Sequence, residues 1–151
     1  MADLTYNLGR TDLADATYDF ITQVIKGMLV TSSYVANKDN NFVDDGGAND
    51  PIDHELSGTG YVAGFAGSGR KTLSMSVVED DANDRAEITF TAITWTAINA
   101  GTAAALIMYN HITGDTASTL IAYNDSGGWP IVTNGGDLTV TPDAQGFLQF
   151  T

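Results

Sequence analysis

The sequence contains no cysteine, so it can form neither disulfides nor thiolate metal sites. Basic residues are scarce as well. Only 6 Lys and Arg stand against 19 Asp and Glu, giving a net charge of -13. A surface so poor in cations cannot replace the counterions on phosphates, which argues against nucleic acid as a direct partner. It also offers nothing to an anionic membrane. Long apolar runs are missing too. The longest, Ala103 to Tyr109, falls far short of the roughly 20 residues a membrane helix requires. The opening MADLTYNLGRTD has no basic n-region and no apolar h-region, so it does not read as a signal peptide. The expected place of synthesis and use is the cytosol.

What is present points to strands. Hydrophobic residues make up 43% of the 151, enough for one globular domain with one sizeable core. Glycine is abundant at 16 and threonine recurs throughout. Glycine breaks helices and threonine suits a pleated surface, so strands joined by tight turns are favoured.

Residues 1–20 are polar and acidic, with scattered apolar positions, and read as an N-terminal arm or edge segment. Thr11-Asp12 is a possible cap for a brief helical turn over 12–16. A strand is expected over 24–31, with a helix from about 15 to 27 as its rival, because Tyr18, Ile21 and Ile25 also lie at helical spacing. Residues 37–58 form a long loop punctuated by Asn, Asp, Gly and Pro51.

From Gly69 onward the period is two. Strands are expected over 72–78, 85–95, 104–109, 119–123, 137–141 and 146–150, with a β-bulge where the phase shifts at Ala92-Ile93 and a hairpin at Asn134-Gly135-Gly136. The expected core holds Leu73, Met75, Val77, Ile88, Phe90, Trp95, Leu106, Met108, Leu120 and Val140. The expectation is an all-β fold: a single-domain β-sandwich over 21–151, jelly-roll-like or immunoglobulin-like, preceded by a long N-terminal loop region.

No chemistry-bearing motif survives inspection. Gly64 to Thr72 looks like a phosphate-binding loop, but its Lys stands one residue late and a strand pattern follows where a helix is needed. Carboxylates crowd two loops: Asp44, Asp45, Asp50, Asp53 and Glu55 in one, and Glu79, Asp80, Asp81, Asp84 and Glu87 in the other. Neither has EF-hand spacing, and solvated acidic loops are the expectation. His54 and His111 stand far apart with no nucleophile or ligand at useful spacing. No catalysis, cofactor or metal is expected. Trp95 reads as core. Trp129, between Gly128 and Pro130, reads either as an interface anchor or as packing over the end of the sandwich.

The stretch from Trp95 to the C-terminus resembles a segment of small virion proteins of tailed bacteriophages. The resemblance lies in Trp95-Thr96-Ala97, Ala105 to Tyr109, Leu120 to Tyr123, Gly127-Gly128 and Thr133 to Thr139. LVTSSY, GTGYV and VVEDDANDRAEIT are similar to the same proteins, so the likeness runs from about Gly27 onward; Gly64 to Gly69 departs from it and residues 1–20 carry none of it. It implies a non-catalytic structural protein of the virion, of the capsid decoration or cement type. Such a protein is assembled in the host cytoplasm and sits on a shell of major capsid protein, as a homo-oligomer and by likeness a trimer. The alternative is a receptor- or carbohydrate-binding module of a tail or head fibre, with Trp129 and Tyr123 flanking a groove. The expected capsid contacts are Leu4, Tyr6 and Leu8, on an arm too short to form a core of its own.

Overall fold

The computed structural model describes residues 4–150. In chain order the elements are β1 (Leu4–Thr5), α1 (Asn7–Ala14), β2 (Ile25–Val30), a 3-10 turn (Pro51–His54), β3 (Lys71–Thr72), β4 (Met75–Asp80), β5 (Arg85–Phe90), β6 (Ile93–Trp95), β7 (Thr102–Ala103), β8 (Ala105–Asn110), β9 (Leu120–Asn124), β10 (Ile131–Val132), β11 (Leu138–Val140) and β12 (Leu148–Phe150). The class is all-β, and the strand pairs among the described residues are antiparallel. A five-stranded sheet has the order β1-β9-β8-β2-β3. A three-stranded sheet has the order β12-β5-β4, and two short pairs, β10-β7 and β11-β6, complete the set.

The five-stranded sheet is the middle of the molecule because its central strand is apolar on both faces. Every residue of β8 is buried. Ala105, Ile107 and Tyr109 point to one cluster, shared with Tyr6, Met28, Val30, Tyr34, Val43 and Leu120. Leu106 and Met108 point to the larger cluster, where they meet Ile88, Phe90, Trp95, Leu138, Phe147 and Leu148 from the smaller sheets. Fully burying one such large apolar side chain stabilises by about 1.5–3 kcal/mol, so two clusters across one sheet carry most of the fold.

The N-terminal segment is an edge segment, one of the two forms expected of it, and not a free arm. Leu4 pairs with Tyr123 and Thr5 with Ala122, so β1 is an edge strand of the main sheet. Tyr6 is fully buried, its hydroxyl 2.8 Å from that of Tyr34. Leu4 packs against the same cluster. Leu8 is half-buried on α1. That helix spans Asn7–Ala14, not the brief turn expected over 12–16. It lies so close to β9 that a Cβ on Gly9 would collide with the Leu120 carbonyl oxygen. Tyr6 is therefore core, with Leu4 packed against the same cluster, while Leu8 is only half-buried and joins neither cluster. Tyr18 and Phe20 also enter the larger core, so residues 4–20 belong to the same body as the rest.

Several strand expectations are corrected by sheet switching. The phase shift at Ala92-Ile93 is not a bulge. The chain leaves the three-stranded sheet after Phe90 and enters the β11-β6 pair at Ile93. A register irregularity does occur, but between Met108 and Tyr109 in β8. The expected strand 72–78 is likewise split: β3 pairs with β2, then β4 pairs with β5. Asn134-Gly135-Gly136 is a turn, with Gly135 at φ 91, but it joins β10 to β11 across two different pairs and makes no hairpin. The rival helix over 15–27 does not form; Ile25–Val30 is strand, as expected. In the core list, Val77 is 49% exposed, while Met75 and Val140 are only partly buried.

Candidate assembly surface

The glycine-rich loop and the acidic loop, two of the features weighed for chemistry, meet in one buried ionic cluster. Arg70 is almost wholly buried. Its Nε donates to Glu55 Oε1 at 2.9 Å and its Nη2 to Glu55 Oε2 at 2.7 Å, while Nη1 donates to Asp115. Tyr61 donates its hydroxyl to Glu55 at 3.1 Å and accepts the Leu29 N–H at 2.9 Å. The Gly64 N–H also donates to Glu55. Burial works against the Arg70 charge, but the hydrogen bonds to Glu55 and Asp115 outweigh it and hold the guanidinium above its ordinary pKa. The loop that delivers Arg70 is glycine-rich for a steric reason. A Cβ on Gly69 would enter the Tyr61 ring, and one on Gly67 would enter the Val62 and Ala63 carbonyls. Strand β3 follows the loop, so no helix N-terminus is presented to a phosphate.

The remaining candidate groups are also occupied by structure. Asp50, 3% exposed, accepts from the Asp45 and Gly47 N–H groups at 2.9 and 2.7 Å and so shapes the long loop from inside. That corrects the expectation of a loop whose carboxylates all face solvent. His54 Nδ1 lies 3.0 Å from Ser33 Oγ, and its buried Nε2 has no hydrogen-bond partner. His111 stacks on Phe65 at 4.2 Å between centroids. Burial, followed by Lys26 and Arg70, lowers its pKa below 6.5. Among the described residues, no three His, Cys, Asp or Glu gather in a way that could hold a metal ion, and no helix is long and apolar enough to cross a membrane.

Trp129 and Tyr123 do not flank one groove. Tyr123 packs with Tyr34 on one side of β9, at 5.9 Å between ring centroids. Trp129 packs against the larger core and donates Nε1 to Asn124 at 3.0 Å. Asn124 follows Tyr123 in β9 and faces the other way, so Trp129, held by Asn124, packs against the larger cluster while Tyr123 packs against the smaller one.

The surface that stands out is the three-stranded sheet. Strand β4 is its edge. Thr91 N–H donates to Ser74 O at 3.1 Å, so Ser74, and by alternation Ser76, Val78 and Asp80, aim their backbone groups at β5. Met75, Val77 and Glu79 aim theirs the other way, where no strand pairs among the described residues. Large apolar side chains are exposed on both faces here: Val77 at 49%, Val78 at 45% and Phe150 at 47%. Beside them runs a mainly apolar groove of about 690 Å³, lined by Leu13, Tyr18, Phe20, Val77, Ile88 and Phe150, with Arg10 and Asp19 also at its wall. At the far end of β4 the turn carries Glu79, Asp80, Asp81 and Asp84. Only Asp80 is engaged by Arg85, at 3.0 Å, and Arg85 also pairs with Glu87 at 2.7 Å. Sequence alternation had marked Val77 as core. Nothing local distinguishes an edge strand from a covered one when its apolar period is intact.

No family model matches the chain, and neither a curated protein nor a solved structure matches it. The class shown is the all-β fold.

Proposed function

We propose that the protein is a non-catalytic structural subunit of a tailed-phage virion, of the capsid decoration or cement type. In this reading it is made in the host cytoplasm and binds the outside of a shell of major capsid protein as a homotrimer, on a sandwich-like body. The observation that carries the reading is the exposed apolar edge of β4 with its adjoining groove, on a body whose net charge is -13. Contiguous apolar surface on a strongly acidic molecule marks a place meant to be covered. The resemblance of the segment from Trp95 onward to small virion proteins supplies the kind of partner. The buried Glu55–Arg70–Asp115 cluster supports the reading too, because it fastens loops into a rigid body of the sort a shell attachment needs. A trimer triples the charge, so its side-by-side contacts are apolar and close, and salt strengthens them by screening repulsion.

The test is electron microscopy of purified virions of the phage that encodes the chain, with mass spectrometry for its copy number. The expected result is density for the protein on the outer shell at local three-fold positions. Density confined to a tail or head fibre, together with specific signals on a glycan array, would replace this reading with the receptor-binding one.

A further inference from the structure

We propose that the free edge of β4 takes up an extended segment of a partner as an additional strand. The segment alternates apolar residues and carries Lys or Arg where it passes the acidic β4–β5 turn. This deepens the assembly reading above by naming the chemistry of the partner at that surface.

Three observations converge on the occupant. The first is the unpaired ladder: the outward backbone groups of Met75, Val77 and Glu79 form a template that a second strand satisfies. The second is the apolar surface that such a strand would cover. Val77 shares the interior face with its partner Ile88, and Val78 lies on the opposite face beside Glu87, so an added strand meets an exposed valine on either side. Alternating side chains on the interior face also reach the groove lined by Val77, Tyr18 and Phe20.

The third is charge. Glu79, Asp81 and Asp84 stand exposed at one end of the edge, with Asp80 already paired to Arg85. A second copy of this chain offers its accessible cations singly and not as a paired cluster. Of its 6 basic residues only Arg70 and Lys71 are adjacent, and Arg70 is buried in its ion pairs. A basic-apolar extended segment of another protein meets all three features at once. Because the turn follows the C-terminal end of β4, a segment antiparallel to β4 places its cations at its own N-terminal end.

The experiment uses the full chain and three fluorescein-labelled synthetic peptides: KKVTVTV, its acidic counterpart EEVTVTV, and KKVTPTV, in which proline interrupts the ladder. Anisotropy at low salt should show KKVTVTV binding about tenfold or more tightly than either control. Amide exchange should slow at Met75, Val77 and Glu79. The variant Val77→Pro removes an N–H that faces away from β5, so the β4–β5 ladder keeps its bonds while capture is lost. Asp81→Lys with Asp84→Lys, which leaves the backbone untouched, should reverse the preference between the basic and acidic peptides. Absence of binding, binding unchanged in both variants, or protection at sites other than β4 overturns the proposal. Protection of the β4 amides that rises with protein concentration in the absence of peptide identifies the occupant as a second copy and overturns it too. Peptide capture without any density on virions sinks the assembly reading alone. Virion attachment unaffected by Val77→Pro sinks this proposal alone.

Discussion

Arg70 and Glu55 meet fork to fork inside the protein, Nε to Oε1 at 2.9 Å and Nη2 to Oε2 at 2.7 Å, with side-chain exposures of 0% and 2%.

 

The two residues are 15 apart in sequence.

Breaking this pair should be costly, because the carboxylates left behind are buried. Arg70→Met is expected to lower stability by about 3–5 kcal/mol, since Glu55 and Asp115 lose their counter-charge. Combining it with Glu55→Gln and Asp115→Asn should recover part of that loss, and denaturant titrations of the single and triple variants measure the difference. A triple variant no more stable than Arg70→Met would show that the charges are not coupled.

The loop carrying Arg70 tests the steric account. Gly69→Ala pushes a Cβ into the Tyr61 ring, and a loss of about 1–3 kcal/mol is expected. Gly114→Ala meets open space and should stay within about 0.5 kcal/mol of the parent. Thermal unfolding of the two variants side by side decides it.

The N-terminal segment should prove structural. Tyr6→Phe removes the hydroxyl that meets Tyr34 at 2.8 Å and is expected to cost about 0.5–1.5 kcal/mol. Deleting residues 2–10 takes away β1, Tyr6 and most of α1, and should abolish the cooperative transition. A deleted chain that unfolds at the parent's denaturant midpoint would restore the picture of a free arm.

His111 gives a pH dependence with a definite sign. Burial, then Lys26 and Arg70, depress its folded pKa below 6.5, with Asp115 opposing. The unfolded chain therefore binds more protons in the window just below pH 6.5, and stability falls as pH drops through it. Above that window the contribution is fully present. His111→Phe should flatten this part of the stability profile while keeping the stack on Phe65. An unchanged slope would assign the dependence to other groups.

By itself the sequence determined the all-β class and the central strand. The unbroken apolar run over β8 can only sit covered on both faces, and the alternation over β5 fixes which residues turn inward. It also determined the acidity and the lack of thiol chemistry. Tertiary structure alone decided which strands are edges. Val77 has the alternation of a core residue, yet β4 ends its sheet and leaves it half exposed. The same holds for Tyr6, whose polar neighbours left arm and edge segment both open until the edge of β9 supplied a partner. It holds for Glu55, Arg70 and Asp115, whose union spans 60 residues of chain in steps of 15 and 45. Local pattern records what a residue prefers to touch; which distant segment arrives to be touched is settled by packing the whole chain at once.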